Sequence, residues 1–505
     1  MATEFELKFD ISPSLVQELQ ASTWFQGRES STKREELVSV YFDTPRLKLY
    51  DRQVSLRIRH IGAKRLQGIK LGCGGSVRQE WETEVDSDVP DFTVVDGTAL
   101  EPLATRKLAR KLKPIFETRV ERTLSPLEVE GSQIELALDQ GLIKAGERSE
   151  TICELELELK NGDPRAVVET AKRLAAQFPL RYALESKAER GYGLYELNGE
   201  SAVRADPIEL DPNANVGDAA QSIALSCLRH FALNAPGVSN GDAEAVHQMR
   251  VGVRRLRAAL SIFKKLFSDG ELENIKSELR WLTEQLSPAR DYDVLVKETV
   301  EPLMEEGGHQ PELATLETVV NDKRAEGFQT AKAAVNDDRY RRVVLSTALW
   351  LHGGDWMLSF DGPRIARREA RLKPFARREL RDRVRKIRKR LEKLESMDAR
   401  KRHELRIAVK KLHYGTQFFE SLFPRAKSKL RAQLKVLKKL QDALGELNDM
   451  TVHSDLAAGI VDAVPPPDGS QAAFAIGVVM GKEECDVRPL LRAARRAGKR
   501  LVRRF

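Results

Sequence analysis

Charged residues alternate with apolar residues in the stretch EFELKFD, residues 4–10. The polar positions are Glu4, Glu6 and Lys8, and each is followed by an apolar residue. Carboxylates grouped in this way can bind a divalent cation, and nearby cationic groups can bind phosphate oxygens. Period-two alternation predicts a β-strand on which these three side chains share one face. A single such strand does not show whether that face points to solvent or inward.

The same alternation recurs along later segments, and each of these keeps one sign of charge. SLRIR, GIK and VER are basic on one face, whereas EWETE and CELELELK are acidic. The charged positions are Arg57, Arg59, Lys70 and Arg122, and Glu80, Glu82, Glu84, Glu154, Glu156 and Glu158. Like charges on neighbouring strands repel each other unless an opposite charge lies between them. A barrel with a charged interior, in which acidic strands face basic ones around a polyanion and its metal ions, is therefore favoured over a solvated outer surface.

These residue types are suited to phosphoryl transfer, which requires positioning and charge neutralisation more than covalent chemistry. Carboxylate oxygens suit Mg²⁺ or Mn²⁺, which would bridge phosphate oxygens and position or acidify an attacking water. The chain contains no GxxxxGK[ST] segment, which excludes a P-loop mechanism. The glycines of LGCGGS, residues 71–76, are predicted to form a hairpin turn.

The elements that must position these residues change character along the chain. Up to about residue 197, alternating segments are separated by turns and by two helical stretches, 12–21 and 164–178, which predicts an antiparallel sheet or barrel. Residues 198–217, with Pro, Gly and Asn and little periodicity, are predicted to be a linker. Beyond it, apolar residues at steps of three and four, as in 243–267, predict long helices.

The helical part contains an internal repeat. HQMRVGVRRLRAALSIFKKLF, which begins at His247, aligns with HELRIAVKKLHYGTQFFESLF, which begins at His403, at an offset of 156 residues. LRWLTEQLSPARD aligns with LKKLQDALGELND at an offset of 158 residues. The offsets predict two related helical bundles, roughly 218–360 and 361–505. The alignment also matches basic residues, namely Arg250 with Arg406 and Arg254 with Lys410. A row of basic residues often only covers the apolar stripe of an amphipathic helix. The presence of the same row in both copies favours a ligand-binding role.

The distribution of charge also predicts a polyanionic partner for the helical part. The chain of 505 residues has a net charge of +8, yet its first 200 residues hold 29 Lys and Arg against 34 Asp and Glu. The basic excess therefore lies in the remainder. The basic tract 364–411 could bind RNA or anionic lipid, but it lacks the interleaved aromatic residues of a single-strand binder and has no base-reading motif.

Bulk features predict a multi-domain intracellular protein. The length exceeds that of one typical domain, and 41% of residues are hydrophobic, which is enough for substantial cores. Four scattered cysteines without a CxxC pair argue against a disulfide framework or a thiolate zinc site. The longest nearly apolar run, 472–481, is too short to span a bilayer.

The front of the chain resembles the CYTH superfamily, the triphosphate tunnel metalloenzymes. EFELK fits its ExExK signature, and YFDT, SLRIR, ELELELK and SKAERGY follow in the family's order over residues 1–197. The resemblance implies an eight-stranded antiparallel β tunnel with flanking helices, which binds a triphosphate and a divalent cation. Residues 218–505 resemble the CHAD domain through HQMRVGVRRLR, SPARDYDVL and HELRIAVKKL. That resemblance implies an all-α domain of two related four-helix bundles that binds inorganic polyphosphate.

The two resemblances imply roles for individual residues. Catalytic roles fall to Glu4, Glu6, Lys8, Glu82 and Glu84. The implied ligands for Mg²⁺ or Mn²⁺ are Glu4, Glu6, Glu154 and Glu156. Triphosphate would bind Arg57, Arg59, Lys70, Arg122, Lys187 and Arg190. Polyphosphate would bind His247, Arg250, Arg254, Arg257, His403, Arg406, Lys410 and Lys411, with Lys264 and Lys265 as weaker additions. Arg290 and Asp291 are expected to form either an ion-paired loop or a ligand contact.

The predicted protein is thus an α+β chain whose front domain hydrolyses inorganic triphosphate and whose helical domain binds inorganic polyphosphate. We expect a cytoplasmic location, with polyphosphate granules as a candidate site, and neither a specific nucleic-acid partner nor a membrane span. Thiamine triphosphatase, class IV adenylate cyclase and a non-catalytic polyphosphate-granule binding protein stay open as alternatives. The sequence leaves the oligomeric state undecided.

Overall fold

The chain forms two compact units. The computed structural model describes residues 5–25, 33–72, 79–196, 202–306, 310–359, 361–463, 473–478 and 487–502. The first unit comprises Met1–Ser201 together with Val344–Gly354, and the second comprises Ala202–Val343 and Asp355–Phe505. The first unit is therefore discontinuous in sequence.

The first unit is built around an antiparallel sheet. Its strands are β1 (Glu6–Asp10), β2 (Lys33–Asp43), β3 (Val54–Ile61), β4 (Lys64–Leu71), β5 (Gln79–Glu84), β6 (Lys113–Val129), β7 (Ser132–Ala145), β8 (Arg148–Asn161) and β9 (Arg181–Tyr182). Their order across the sheet is β5-β4-β3-β2-β6-β7-β8-β1-β9. The prediction of an antiparallel sheet followed by a helical region is confirmed.

The sheet differs from the predicted tunnel in two respects. It has nine strands in the described residues instead of the predicted eight, because the two-residue strand β9 pairs with β1 on the side away from β8. The buried side chains of Phe178 and Leu180 anchor the chain just before β9. The sheet is also not closed, since β5 and β9 are its edges and no pairing joins them in the part of the chain that the structure describes.

The apolar faces of the strands form the core of this unit. In β1, Leu7 and Phe9 are 1% and 0% exposed. They pack with the apolar residues of β7 and β8 against helices α1 (Pro13–Ala21) and α3 (Pro164–Gln177). Because side chains alternate across a strand, this packing forces the charged residues of the same strands onto the opposite, concave face.

Two further helices complete the first part of this unit, α2 (Arg106–Ala109) and α4 (Lys187–Glu196), with short 3₁₀ turns at Tyr50–Arg52, Phe92–Val94 and Glu101–Leu103. Helix α4 packs closely on β6, since a Cβ added at Gly191 would lie 2.2 Å from the Phe116 ring. This close approach brings Lys187, the first residue of α4, to the charged face of the sheet.

The second unit is helical. Its helices are α5 (Val216–Ala232), α6 (Ala235–Ser239), α7 (Ala243–Ile262), α8 (Gly270–Leu295), α9 (Glu301–Glu306), α10 (Gln310–Asn336), α11 (Asp338–Gly353), α12 (Asp355–Leu358), α13 (Gly362–Arg368), α14 (Leu372–Leu391), α15 (Ala399–Phe418), α16 (Lys427–Ala463) and α17 (Val487–Val502). A π-helical turn, Val296–Val300, follows α8, and 3₁₀ turns lie at Leu394–Ser396, Glu420–Leu422 and Pro424–Ala426. From residue 344 onward, α11 belongs to the first unit. Within the described residues, none of these helices combines the length and apolar character needed to cross a membrane.

The repeated sequences form matching helices. Helices α7 and α15 are both 20 residues long, and each is preceded by an N-capping aspartate, Asp242 or Asp398, at the same offset of 156 residues. Each aspartate side chain accepts a hydrogen bond from a backbone N–H of the first turn, which satisfies a donor that the helix leaves unpaired. The assignment of these helices to two four-helix bundles stays a prediction.

Residues 344–354 contribute directly to the core of the first unit. Leu345 and Leu349 are each 4% exposed and belong to the apolar cluster that contains Leu7 and Phe9. A Cβ added at Gly353 would lie 2.5 Å from the Val168 side chain of α3, so this segment and that helix are in close contact.

Candidate active site and anion-binding cavity

The charged face of the sheet encloses a cavity of about 470 Å³. Strands β1 to β8 and helix α4 all contribute to its lining. Its charged lining residues are Glu6, Lys8, Arg57, Arg59, Lys70, Glu80, Glu82, Arg122, Asp139, Glu156, Glu158, Lys160, Lys187 and Glu189. Acidic and basic side chains thus share one enclosed space, as the alternation of charge predicts.

Three buried carboxylates form an acidic cluster, Asp139, Glu154 and Glu156, which are 0%, 1% and 6% exposed. The register of the sheet explains their proximity, because Asp139 of β7 lies directly opposite Glu154 of β8, and Glu156 is two residues further along the same face. One carboxylate oxygen from each residue lies within 4.8 Å of the others.

Cations surround this acidic cluster. The Lys187 ammonium lies 2.8 Å from Asp139 and 2.9 Å from Glu156, and it also hydrogen-bonds Glu154. The Arg122 guanidinium donates to both oxygens of Asp139, at 2.7 and 2.6 Å, and to Glu156 at 2.8 Å. Each carboxylate therefore has a charged partner, which offsets the free-energy cost of burying it.

The ion pairs determine the protonation states. Burial alone favours the neutral acid, but Lys187, Lys8 and Arg122 hold the pKa of Glu156 well below its usual range. Burial also disfavours the Lys187 ammonium, yet the carboxylates outweigh it and raise the pKa of Lys187. In contrast, burial and the neighbouring Glu154 raise the pKa of Asp10 to about 6.

The donor set of the acidic cluster fits a divalent metal ion. Its three carboxylates provide hard oxygen ligands, and their spacing allows one ion to contact all three. Glu6 and Lys8 lie beside the cluster, since the Lys8 ammonium is 3.2 Å from Glu6 and 2.9 Å from Glu156. A metal ion in this position would compete with the ammonium and guanidinium groups for the same oxygens.

A second group of cations lines the cavity from strands β3 and β4. One Arg57 nitrogen lies 2.9 Å from Glu80 and 3.0 Å from Glu82, and the Lys70 ammonium lies 2.5 Å from Glu80. Gly68 lies opposite Arg57 in the sheet, and a Cβ there would lie 2.9 Å from the Arg57 Nε. The missing side chain leaves room for Arg57 to extend across β4 to the acidic strand β5.

Crowding lowers the pKa of two of these cations, whereas Tyr41 and the carboxylates of Glu80 and Glu82 outweigh burial and raise the pKa of Arg57. Burial and the Arg57 charge lower the pKa of Lys70 to about 8, although Glu80 opposes this change. Burial and Arg57 likewise lower the pKa of Arg59 to about 10. Cations on other strands lower these pKa values further: Lys8 acts on Lys70, and Arg122 acts on Arg59. An anionic ligand would relieve this repulsion, so the electrostatics favour phosphate groups in the cavity.

The structure places the predicted residues of this site as follows. Those lining the cavity are Glu6, Lys8, Arg57, Arg59, Lys70, Glu82, Arg122, Glu156 and Lys187. Glu154 and Arg190 lie outside the lining, and the Arg190 guanidinium donates to Glu154 at 2.8 Å. Glu84 is exposed and is not part of the lining. Glu4 lies outside the described residues. Asp139 and Glu80 also contact cations of the predicted set, and neither was among the predicted site residues.

The second unit has its own cavity, of about 810 Å³, formed mainly by helices α7, α8 and α15. All eight residues predicted to bind polyphosphate line it, namely His247, Arg250, Arg254, Arg257, His403, Arg406, Lys410 and Lys411. Lys264 is also in the lining, whereas Lys265 is not. The sequence pattern did not indicate Lys276 and Arg280, which α8 adds to the lining.

This second cavity is strongly cationic. Among the described residues, ten Lys and Arg side chains line it, against the two carboxylates Asp291 and Glu298. Burial and the charges of Arg290 and Arg254 lower the pKa of His247 to about 4, and burial is also the main cause of the lowered pKa of Arg250. Cations that are buried together without enough counter-ions create a strong preference for an anion.

Arg290 and Asp291 lie within helix α8, so the alternative of an ion-paired loop is wrong. The helix continues through Pro288 to Leu295. The Asp291 carboxylate lies 3.0 Å from the Arg250 guanidinium, and Arg290 lies 3.2 Å from the buried Asp293. Both residues line the cavity while forming ion pairs within the unit.

Comparisons with known proteins agree with this division. A family model of the CYTH domain matches residues 2–192, and one of the CHAD domain matches residues 222–458. An inorganic triphosphatase of Haemophilus influenzae is 30% identical over 199 residues, which cover 38% of this chain and 55% of the relative. An uncharacterized protein of Mycobacterium tuberculosis is 27% identical over 311 residues, or 58% of each chain. The chain thus spans little more than half the length of these curated relatives.

The helical unit also has a similar solved structure. The crystal structure of the CHAD domain from the plant Ricinus communis is 29% identical, with a TM-score of 0.52, and the match covers 60% of this chain and 97% of that one. Taken together with the two domain matches and the two charged cavities, these similarities show that the chain is a CYTH–CHAD protein, a fusion of a CYTH domain and a CHAD domain.

Proposed function

We propose that the first unit hydrolyses inorganic triphosphate with Mg²⁺ or Mn²⁺. The observation that supports this most directly is that Asp139 and Glu156 of the buried acidic cluster line the same cavity of about 470 Å³ as a group of at least six cations. Phosphoryl transfer requires both a site for a hard divalent ion and donors for phosphate oxygens. The similarity to the inorganic triphosphatase of Haemophilus influenzae, 30% identical over 199 residues, supports the same activity.

The side chains of the cavity divide this work between them. Asp139, Glu154 and Glu156 would hold the metal ion, with Glu6 beside them. The ion would supply Lewis-acid stabilisation of the phosphate oxygens and lower the pKa of an attacking water. Arg57 and Arg59 provide planar guanidinium groups that can bind two oxygens at once, which fixes the orientation of the phosphate chain.

Each cation already has a carboxylate partner before the substrate arrives. Arg57 is paired with Glu80 and Glu82, and Lys187 is paired with the acidic cluster. Phosphate oxygens would replace these carboxylates as partners of the cations, while a divalent ion would replace the cations as partner of the acidic cluster. This exchange keeps the buried charges compensated, so metal and triphosphate are expected to bind cooperatively.

The test is phosphate release from inorganic triphosphate by the purified protein with Mg²⁺ or Mn²⁺. Glu6→Ala and Glu156→Gln should each lower kcat/KM by at least about 100-fold, because each removes a carboxylate of the metal side. Glu121→Gln is the matched control, since Glu121 is an exposed carboxylate on β6 next to Arg122. Absence of release by the unsubstituted protein would overturn the proposal. Faster turnover of thiamine triphosphate, or formation of cyclic AMP from ATP, would assign one of the alternative CYTH activities.

We infer further that the cavity of the second unit binds inorganic polyphosphate. This polymer is a dense row of anions without bases, so an array of cations is sufficient to recognise it. In the part of the chain that the structure describes, ten Lys and Arg side chains and two carboxylates line the cavity, and the cations come from both halves of the internal repeat. The Nε atoms of Arg250 and Arg254 are buried and have no hydrogen-bond partner among the described residues, so each has a donor available for an anion.

Binding of polyphosphate to the full-length protein, measured by calorimetry, tests this inference. Replacing His247 and Arg250 with alanine should weaken binding by about tenfold or more while triphosphatase activity is retained. The matched control replaces Arg381 and Lys389 with alanine, since both are exposed cations of α14 outside the cavity. Equal binding by the two double variants would contradict the assignment to this cavity. Polyphosphate binding without any hydrolysis would favour the non-catalytic binding protein.

A further inference from the structure

A buried histidine lies against the apolar side of strand β1. His352 is 1% exposed and belongs to residues 344–354, which form part of the first unit. Its Nε2 lies 2.9 Å from the Tyr182 hydroxyl, and its ring is edge-on to Phe5 with 6.3 Å between the ring centroids. Phe5 immediately precedes Glu6, and Tyr182 lies directly opposite Phe9. His352 therefore contacts residues beside both ends of β1.

Strand β9, which holds Tyr182, is short and lies at the edge of the sheet. Two residue pairs join it to β1, and the Ala183 N–H donates to the Lys8 carbonyl at 3.0 Å. So few backbone hydrogen bonds leave an edge segment prone to local opening, and side-chain anchors become correspondingly important. The hydrogen bond between Tyr182 and His352 is an anchor of this kind.

The geometry of β1 matters because its other face bears Glu6 and Lys8. Both side chains line the cavity, and their positions follow directly from the position of the strand backbone. A shift of even about 1 Å in catalytic groups can cost two orders of magnitude in rate. Burial lowers the pKa of His352 to about 4, so the imidazole is neutral at physiological pH and can share one hydrogen with the tyrosine hydroxyl.

We propose that His352 is a positioning residue for the catalytic strand: its hydrogen bond to Tyr182 and its contact with Phe5 hold β1 in place, and thereby Glu6 and Lys8 in the cavity. The catalytic consequence rests on the proposed function of the first unit. The effect on the strand does not, because it concerns contacts of the protein alone. The proposal assigns a role in the CYTH site to a residue that lies 160 positions beyond residue 192, the end of the matched CYTH domain.

The first experiment measures amide hydrogen exchange of the full-length protein by mass spectrometry, without ligand. His352→Phe keeps a ring of similar shape but removes the hydrogen bond, Tyr182→Phe removes it from the other side, and His352→Gln keeps a polar nitrogen near the Nε2 position. Loss of one hydrogen bond should speed exchange in β1 and β9 by about three- to tenfold. Exchange in β3 and β4 should stay unchanged, and His352→Gln should restore most of the protection.

His413→Phe is the matched control. His413 is a largely buried histidine of α15 in the second unit, and its Nδ1, like that of His352, has no hydrogen-bond partner in the described part of the chain. Its replacement should leave exchange in β1 unaffected. Unchanged exchange of β1 in both His352→Phe and Tyr182→Phe would overturn the proposal. An equal increase in β1 and β3 would also overturn it, because that result indicates a general loss of stability. Tyr182→Phe removes only a hydroxyl group and decides the matter if His352→Phe does not fold.

The second experiment measures kcat, KM and the half-saturating Mg²⁺ concentration for triphosphate hydrolysis. A displaced β1 should lower kcat and raise the half-saturating Mg²⁺ concentration, each by about three- to tenfold, in both phenylalanine variants. A merely structural role would lower the melting temperature and leave both constants of the folded protein unchanged. If the unsubstituted protein does not hydrolyse triphosphate but the variants show the expected exchange pattern, the proposed function is contradicted and the positioning role is supported.

Discussion

Replacing Lys187 with methionine is the most direct perturbation of the acidic cluster. The lysine side chain is 16% exposed, and its three carboxylate partners have side chains between 0% and 8% exposed. Methionine has a similar length but no charge, so the variant loses one cation that contacts all three carboxylates. Arg122, Lys8 and Arg190 would still contact the same carboxylates.

The expected cost follows from this geometry. Removing one partner of a buried ion pair typically costs about 3–5 kcal/mol, because the remaining charge stays buried without compensation. Since other cations remain, we expect the lower value of about 3 kcal/mol. For a unit of roughly 200 residues, this corresponds to a decrease in melting temperature of about 6–12 °C.

Thermal unfolding followed by circular dichroism, with and without Mg²⁺, measures this effect. Lys160→Met is the matched control, since Lys160 also contacts two carboxylates but is 43% exposed, and its loss should cost less than about 1 kcal/mol. Added Mg²⁺ should stabilise Lys187→Met more than the unsubstituted protein, because a divalent ion replaces the missing ammonium. A melting temperature within about 2 °C of the unsubstituted protein, or equal stabilisation of both by Mg²⁺, would refute the reasoning.

Three further predictions concern pH. Burial and Arg57 lower the pKa of Lys70 to about 8, so the ammonium loses its proton as pH rises through that value. The KM for triphosphate should therefore increase above about pH 8 in the unsubstituted protein, and this increase should be absent in Lys70→Gln. Burial and Glu154 raise the pKa of Asp10 to about 6. Between about pH 4 and 6 the folded state therefore binds more protons than the unfolded state. The free energy of unfolding consequently decreases as pH rises through this range. Asp10→Asn should therefore melt at a higher temperature than the unsubstituted protein at neutral pH, with the difference disappearing near pH 4. Burial and neighbouring arginines lower the pKa of His247 to about 4; a polyanion should raise it, and calorimetry in buffers of different ionisation enthalpy should show proton uptake on binding.

The alternation of charge was sufficient to predict much of the sheet and which face is charged. Segments such as ELELELK alternate charged and apolar residues with a period of two. Because the apolar face must pack on helices, the same alternation determines that the charged residues lie on the opposite face. Strand β9 could not be predicted in this way, because two residues, Arg181 and Tyr182, contain no periodicity. Its pairing depends on tertiary anchors that are distant in sequence, among them His352.

The residues of the site were predictable where a motif contains several charges at alternate positions. Asp139 has a weaker signal, since the residue two positions before it on the same face is Ala137, and only the register of β7 with β8 brings it to Glu154. Its position opposite Arg122 on β6 is the clue that was available once strands were paired. A loop at Arg290 and Asp291 was one of two expected alternatives, but helix α8 continues through Pro288 and contains both residues.

The discontinuity of the first unit has a consequence for folding during synthesis. Leu345, Leu349 and His352 complete the core behind β1, yet they are translated 144 to 151 residues after Ser201. At roughly 5–20 residues per second, the ribosome needs about 7–30 s to reach them. During this interval the nascent sheet exposes the apolar surface that these leucines later cover. A chaperone that binds exposed apolar surface would therefore meet its target in this window, and truncation after residue 201 would make the exposure permanent.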